Sequence, residues 1–144
     1  MLALSGVADV LGLSIKEPAG RSPFALISRI EDGLPIGALE RLTDLLAPGD
    51  AQFKYRLIPK ATYERRKRAA QPLSAEEGTR VARLARVWRL ARDVWGSDEA
   101  ARAFLFRSHP MIEDKRPVDV VIQNEFGAEM VIDILGGLKY GSAA

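Results

Sequence analysis

The 144-residue sequence predicts an all-α protein. Two observations support this fold class: proline and glycine residues stand where helices would begin and end, and apolar residues recur every three or four positions between them. We expect an N-terminal helical region over residues 1–73. A C-terminal region over residues 74–144 would begin with the longest helix, residues 74–95.

Proline and glycine delimit the first helices. Residues 22–32 are predicted to form a helix, because Ser22 suits an N-cap, a proline follows it, and Gly33 is a natural terminator. A second helix is predicted for residues 35–46, and Pro48 would stop it. The N-terminal region therefore begins with two helices joined by a short turn.

Two shorter helices are predicted next, over residues 51–57 and 60–70. Together they resemble a helix-turn-helix, in which the second helix would read DNA. Phe53 and Leu57 are the core anchors of the otherwise polar first helix. Basic and polar side chains of a recognition helix contact phosphates and base edges. The DNA-binding residues expected from this pattern are Lys60, Thr62, Tyr63, Arg65, Arg66, Lys67 and Arg68.

Charge is unevenly distributed along the chain. The net charge is only +2, but residues 51–92 carry twelve basic and three acidic side chains, whereas residues 1–50 and 93–144 are acidic. A basic surface attracts polyanions such as DNA through counterion release. The alternative is a basic helix face that contacts only the protein's own acidic flanks.

The long helix has the clearest pattern in the sequence. Ser74 and Glu77 form a capping box, and an apolar stripe from Val81 onward includes Trp88 and Trp95, which we expect in the core. Because a step of three residues falls about 60° short of a full turn, arginines at every third position spiral around this helix. These arginines are Arg80, Arg83, Arg86, Arg89 and Arg92, and we expect some to pair with acids such as Glu76.

The last helix is more apolar than a single core face requires. One predicted stripe runs from Ala128 to Leu138, whereas Met130 and Ile134 lie off that stripe. Such a helix is either buried inside its domain or shared with a partner, and the sequence leaves both possibilities open. The pair of glycines at residues 136–137 would weaken the helix, which suggests a hinge or a close backbone approach.

Catalytic and metal sites are not predicted. His109 precedes Pro110 in a loop and has neither a cysteine nor a second histidine to join it, so a structural or partner contact is expected in place of a metal site. The pairs Glu113/Asp114 and Asp98/Glu99 are interpreted as loop and helix-terminus charges. Complete phosphate-binding glycine patterns are missing. We therefore expect a protein that is not an enzyme and uses no cofactor.

Composition also suggests the compartment. The sequence has no cysteine, no apolar run of about 20 residues, and no basic leading region before its mildly apolar N-terminus. We expect a cytoplasmic protein without membrane contact.

Three segments carry a resemblance to a known family. In order they read GLPIGALERL, LIPKATYERRKRAAQPLSAEEGTRVARLARVWRLARDVWG and AARAFLFRSHPMIEDKRPVDVVIQNEFGAEMVIDILGGLKYG. The order and spacing of RLARV with the following WG, of Pro110, Pro117 and Asp119, and of the closing Tyr140 and Gly141 resemble antitoxins of the Xre/MbcA/ParS type. The resemblance extends from about residue 10 to residue 141.

The resemblance implies an antitoxin of a type II toxin-antitoxin system. Such proteins bind their own operon promoter through a helix-turn-helix region and sequester a toxin through a helical C-terminal domain. The implied partners are a RES-domain toxin that degrades NAD, operator DNA and a second copy of the antitoxin within a hetero-oligomer. Because the end of the chain would approach the toxin's active-site cleft, the candidate toxin-binding residues are Met130, Ile134, Leu138, Lys139, Tyr140 and Gly141.

A second function stays open at this point. The chain could be a stand-alone helix-turn-helix transcriptional regulator whose C-terminal domain only dimerises. The two hypotheses differ in whether a toxin is encoded beside this protein.

Overall fold

The structure is a computed structural model that describes residues 6–13 and 23–140, with Tyr140 described in its backbone only. These residues form eight α-helices, two short 3₁₀ turns and no β-strand, so the all-α prediction is confirmed. None of these helices is long and apolar enough to cross a membrane. The helices are α1 (Val7–Leu11), α2 (Pro23–Asp32), α3 (Ile36–Leu46), α4 (Lys60–Arg68), α5 (Ala75–Trp95), α6 (Asp98–Leu105), α7 (Pro117–Gln123) and α8 (Glu125–Tyr140).

Helix α5 is the centre of the fold, because it packs against α1, α2, α3, α6, α7 and α8. Its apolar stripe is buried as the spacing predicts, and Trp88 is only 3% exposed. The prediction for Trp95 was wrong: this side chain is 42% exposed and touches Phe104, with 5.7 Å between the ring centroids. Trp95 is the last residue of α5, so fewer neighbouring helices are present to cover it.

The ends of α5 follow from local sequence. The Ser74 hydroxyl accepts a hydrogen bond from the Glu77 N–H at 3.1 Å, and the Glu77 carboxylate accepts one from the Ser74 N–H at 2.8 Å. This reciprocal pair satisfies N–H groups that have no partner within a helix. At the other end Gly96 takes a left-handed conformation, with a φ of 82°, that other residues rarely adopt. The predicted capping box and helix end are confirmed.

The predicted helix over residues 51–57 was wrong in kind. Only the 3₁₀ turn Phe53–Arg56 forms there. A single α-helical turn is unfavourable by itself, and Pro59 disfavours helical geometry in the residue before it. Phe53 and Leu57 are nevertheless buried, as expected for core anchors. Helix α4 therefore packs against α3 and this turn, without a preceding α-helix of residues 51–57.

The first helices agree with the sequence within the described residues. Helix α2 begins at Pro23, and the predicted N-cap Ser22 lies outside the described residues. Gly33 follows α2 with a φ of 109°, and a β-carbon there would lie 2.8 Å from Pro72. Both the conformation and the close approach favour glycine at this turn.

The N-terminal helices and the C-terminal helices pack together beyond their shared contact with α5. The Arg56 guanidinium lies 2.7 Å from the Asp119 carboxylate at the start of α7. The Arg102 guanidinium of α6 donates a hydrogen bond to the Leu45 carbonyl at 2.7 Å. Polar contacts thus join the N-terminal and C-terminal helices, in addition to their shared packing on α5.

Candidate functional site

The outer side of α4 is a basic surface. Lys60, Arg65 and Arg68 are exposed, and Thr62 is half-buried. These are four of the seven predicted DNA-binding residues, and Lys67 is exposed as well.

Tyr63 is different, because its side chain is only 7% exposed and is the one buried residue of α4. Its ring packs edge-on against Tyr55, with 5.8 Å between the centroids, and its hydroxyl donates a short hydrogen bond to Glu40 of α3. The expectation that Tyr63 contacts DNA is corrected: this side chain anchors α4 to the core.

Arg66 is also turned inward. Its guanidinium lies 2.9 Å from the carboxylate of Glu77, and both side chains are largely buried. Glu77 is the same residue that caps α5, so one carboxylate joins the two helices. The expectation that Arg66 contacts DNA is corrected: in the folded protein its guanidinium faces Glu77. Lys67 is more than half exposed, but its ammonium is paired with Glu40.

The two carboxylates are held in their charged form. Burial alone would raise the pKa of Glu40, but hydrogen bonds from Lys67 and Tyr63 hold that pKa below its usual value. Burial would likewise raise the pKa of Glu77, and hydrogen bonds from the Ser74 backbone and Arg66 lower it overall. At neutral pH both groups are therefore anions facing the inner side of α4.

The cavity between α2, α3 and α4 offers no catalytic constellation. It measures about 360 Å³, and its charged lining residues are Arg29, Arg66 and Lys67. The other lining residues that the structure describes are glycine, proline, isoleucine, alanine and glutamine, so no acid, histidine or hydroxyl nucleophile among the described residues faces it. A catalytic site would need such groups at hydrogen-bonding distance from one another.

The second candidate surface is the outer side of α8. Met130 is 49% exposed and Leu138 is 50% exposed, whereas Ile134 is partly buried against the core. Leu138 follows the spacing of the buried stripe but lies near the end of α8, which explains its exposure. Lys139 is exposed. The side chain of Tyr140 and all of Gly141 lie outside the described residues.

Sequence reasoning missed Phe126, the most exposed large apolar side chain among the described residues, at 83%. Phe126 lies four residues before Met130 and eight before Ile134, so its position on the helix could have been found by extending that spacing backward. Leu138 follows four residues after Ile134. We call these four residues, Phe126, Met130, Ile134 and Leu138, the α8 stripe.

The inner side of α8 is fixed by close packing. Ala128, Val131 and Leu135 are fully buried. Gly127 meets the previous helix so closely that a β-carbon there would lie 2.1 Å from the Val120 carbonyl oxygen. The expected close approach at Gly136 is not observed, since a β-carbon at that position would meet nothing within 4 Å.

Ion pairs between α5 and α8 flank this packing. The Arg83 guanidinium lies 3.0 Å from the Glu125 carboxylate, and the Arg86 guanidinium lies 3.1 Å from the Glu129 carboxylate. These pairs occupy the side of α8 that faces α5. The α8 stripe is the apolar surface of this helix that lies outside these ion pairs.

His109 has a structural environment. Its ring lies 4.8 Å from the Phe104 ring centroid, and its Nε2 atom lies 3.1 Å from the Phe104 carbonyl oxygen. The His109 backbone pairs with Lys115 across the intervening loop. In the parts of the chain that the structure describes, no three histidine, aspartate or glutamate residues are grouped as metal ligands would be.

Comparison with known families assigns each half of the chain to a domain family. Residues 25–86 match the antitoxin Xre-like helix-turn-helix domain, which includes α4 and its contacts on α3 and α5. Residues 90–141 match the antitoxin Xre/MbcA/ParS C-terminal toxin-binding domain, which includes α8. No curated protein matches the chain. Both matches together, in the order that the family has them, show that this protein belongs to the Xre/MbcA/ParS antitoxins.

Proposed function

We propose that this antitoxin neutralises a RES-type, NAD-degrading toxin through α8 and represses its own operon through α4. The observation that carries the first part is the α8 stripe, which leaves apolar side chains exposed within the toxin-binding domain. An exposed apolar stripe is unfavourable in water unless a partner covers it.

The stripe has the composition of a binding hot spot. Large aromatic and methionine side chains are enriched at protein interfaces, and a few such anchors carry most of the binding free energy. Phe126 and Met130 are one turn apart on α8, so both can enter the same apolar groove of a partner. The segment after residue 138 then continues past the stripe and would reach the toxin's active-site cleft, which it would block.

The second part of the proposal concerns DNA. Lys60, Arg65 and Arg68 present three cations on the outer side of α4, and the half-buried Thr62 is a further polar residue of the same helix. Arginine and lysine on a recognition helix neutralise phosphates and contact guanine edges. We infer that a homodimer of the antitoxin, within the complex with its toxin, places two copies of this helix on the operator.

The toxin-binding proposal is tested with the RES-type toxin that we expect to be encoded beside this protein. We expect the full-length antitoxin to restore growth on co-expression and to bind the purified toxin. Phe126→Ala and Met130→Ala should each weaken toxin binding by about 1–3 kcal/mol, because each removes a large apolar anchor. Isothermal titration calorimetry measures both affinities.

Met111→Ala is the matched control, because Met111 is a 67% exposed methionine in the 3₁₀ turn Pro110–Ile112, away from α8. Its affinity for the toxin should equal that of the unchanged protein. Equal affinities for all three variants would reject the α8 stripe as the toxin surface. Absence of any binding between the unchanged protein and the toxin would reject the proposed partner.

Autorepression has a separate test. We expect the purified protein to bind a duplex from its own promoter more tightly than an unrelated duplex of the same length, measured by fluorescence anisotropy. Equal affinities for both duplexes would contradict the autorepressor proposal without affecting the toxin proposal.

A further inference from the structure

Helix α4 has a single buried side chain, and charged contacts add to its attachment. Tyr63 is that buried residue, and Arg66 and Lys67 pair with carboxylates of two neighbouring helices. Glu40 of α3 accepts hydrogen bonds from Tyr63 and Lys67, and Glu77 of α5 binds Arg66. Two helices thus each supply one carboxylate to α4.

These contacts fix how α4 is rotated about its own axis. Rotation about the helix axis would carry Arg66 away from Glu77 and Lys67 away from Glu40, and the Tyr63 ring would leave the core. Without these contacts the helix would have few apolar restraints, because its other residues are exposed or partly exposed. Base contacts need a side chain to reach a groove edge at hydrogen-bonding distance, so the rotation of α4 bears directly on sequence recognition.

The same carboxylates also lower the positive charge available to DNA. Helix α4 carries five cationic side chains and one acidic side chain. Glu40 and Glu77 neutralise two of the five, namely Lys67 and Arg66. Because non-specific DNA binding grows with the number of phosphates that a protein neutralises, the two acids reduce it.

We propose that Glu40 and Glu77 are positioning residues for promoter recognition, which hold α4 in one rotational setting and withhold two of its cations from non-specific DNA. The inference rests on the proposed binding of DNA by α4. It assigns specificity to two acidic residues that do not touch DNA.

Glu40→Gln and Glu77→Gln test the inference, because each removes a charge while keeping the size of the side chain. Glutamine also retains the capping interaction with Ser74, since a capping box accepts either glutamate or glutamine at this position. We expect each variant to bind non-specific DNA more tightly, with a slope of log affinity against log salt that steepens by about 0.9 for each cation released. Promoter affinity should fall relative to non-specific affinity by about tenfold, the effect of one good base contact.

Glu64→Gln is the matched control, because Glu64 is exposed on α4 itself and its substitution makes the same charge change. We expect it to raise promoter and non-specific affinities together, so that their ratio is unchanged. Toxin binding, measured by calorimetry, reports whether each variant is folded.

The outcomes separate the explanations. An unchanged affinity ratio in both glutamine variants would overturn the inference and leave only an effect of charge. Loss of both DNA affinities with toxin binding intact would also overturn it, because the acids would then act only in the local stability of α4. If a glutamine variant fails to fold, Tyr63→Phe removes the hydroxyl contacts to Glu40 and Lys67 while leaving the Glu40–Lys67 ion pair, and it should lower the ratio without steepening the salt slope. An unchanged ratio in that variant would reject the role of Glu40, whereas failure of the unchanged protein to prefer its promoter would reject the proposed function itself.

Discussion

Helices α4 and α8 present the two proposed binding surfaces, and they are held in place by different forces. Helix α4 has one buried side chain and two carboxylates from neighbouring helices on its inner side. Helix α8 buries Ala128, Val131 and Leu135 and approaches α7 through a glycine. Five of the nine residues of α4 are cationic and only one side chain is buried, so counter-charges help to orient α4, whereas packing fixes α8.

Helix α5 joins these two arrangements. Glu77, at its N-terminal end, holds Arg66 of α4, and Arg83 and Arg86, further along, hold carboxylates of α8. The two family matches meet inside α5, between residues 86 and 90. Both α4 and α8 are therefore held by side chains of one continuous helix, α5.

The largest effect is expected where packing fixes α8. Gly127→Ala would place a β-carbon 2.1 Å from the Val120 carbonyl oxygen, so the backbone of α7 or α8 must move. We expect a loss of about 3 kcal/mol or more in the free energy of unfolding, together with weaker toxin binding. Urea denaturation measures the first quantity.

Gly136→Ala is its matched control on the same helix, since a β-carbon there meets nothing within 4 Å. This change should raise the free energy of unfolding by about 0.5–1 kcal/mol, because alanine favours the helix. Equal effects of the two substitutions would show that close packing does not set the position of α8.

A smaller effect distinguishes the two surfaces by their response to salt. Arg65→Ala with Arg68→Ala should weaken promoter binding by roughly 2 kcal/mol at low salt and reduce the salt slope by about 0.9 per lost phosphate contact. Toxin binding by the same double variant should be unchanged, because the α8 stripe is apolar. Fluorescence anisotropy titrations at salt concentrations from about 50 to about 200 mM measure both the affinity and the salt slope. A salt slope equal to that of the unchanged protein would show that the outer side of α4 does not contact phosphates.

The smallest effect concerns pH. The pKa values of Glu40 and Glu77 are lowered in the folded protein, so their contribution to stability is present above the pKa of the unfolded chain, near 4.5. That contribution is lost as the pH falls through the folded-state pKa values. Between pH 6 and pH 3, the free energy of unfolding should fall by about 1 kcal/mol less in the double variant Glu40→Gln with Glu77→Gln than in the unchanged protein. The difference is small because partly exposed pairs contribute little.

Thermal denaturation across this pH range measures the difference. Asp119, whose pKa is lowered by its hydrogen bond with Arg116, stays in both proteins and contributes to the pH dependence that they share. Identical pH profiles would indicate that the two carboxylates contribute no net stability to the attachment of α4.

Local sequence was sufficient to predict the structure wherever residues close together in the chain decide it. The capping box at Ser74 and the stop at Gly96 involve residues within one helical turn, so both could be predicted. The burial of Trp88 also follows from its position on a regular stripe. Trp95 has the same spacing, but its exposure depends on which other helices cover the end of α5, and spacing carries no such information.

The candidate surfaces were only partly predictable for the same reason. A run of basic residues predicted a DNA-binding helix, but which of them point outward depends on the rotation of α4. That rotation is set by Glu40 and Glu77, which lie 27 residues before Lys67 and 11 residues after Arg66. Phe126 was missed because it precedes the predicted stripe, and its exposure required knowing how α7 meets α8.

The sequence by itself determined the all-helical fold, most helix ends, the basic character of α4 and the apolar excess of α8, because these depend on the properties of residues close together in the chain. Only the tertiary structure decided that Tyr63 and Arg66 face inward and that Gly127 allows α8 to approach Val120. These outcomes depend on contacts between residues of separate helices, and packing and charge pairing across such distances are set only when the whole assembly is formed.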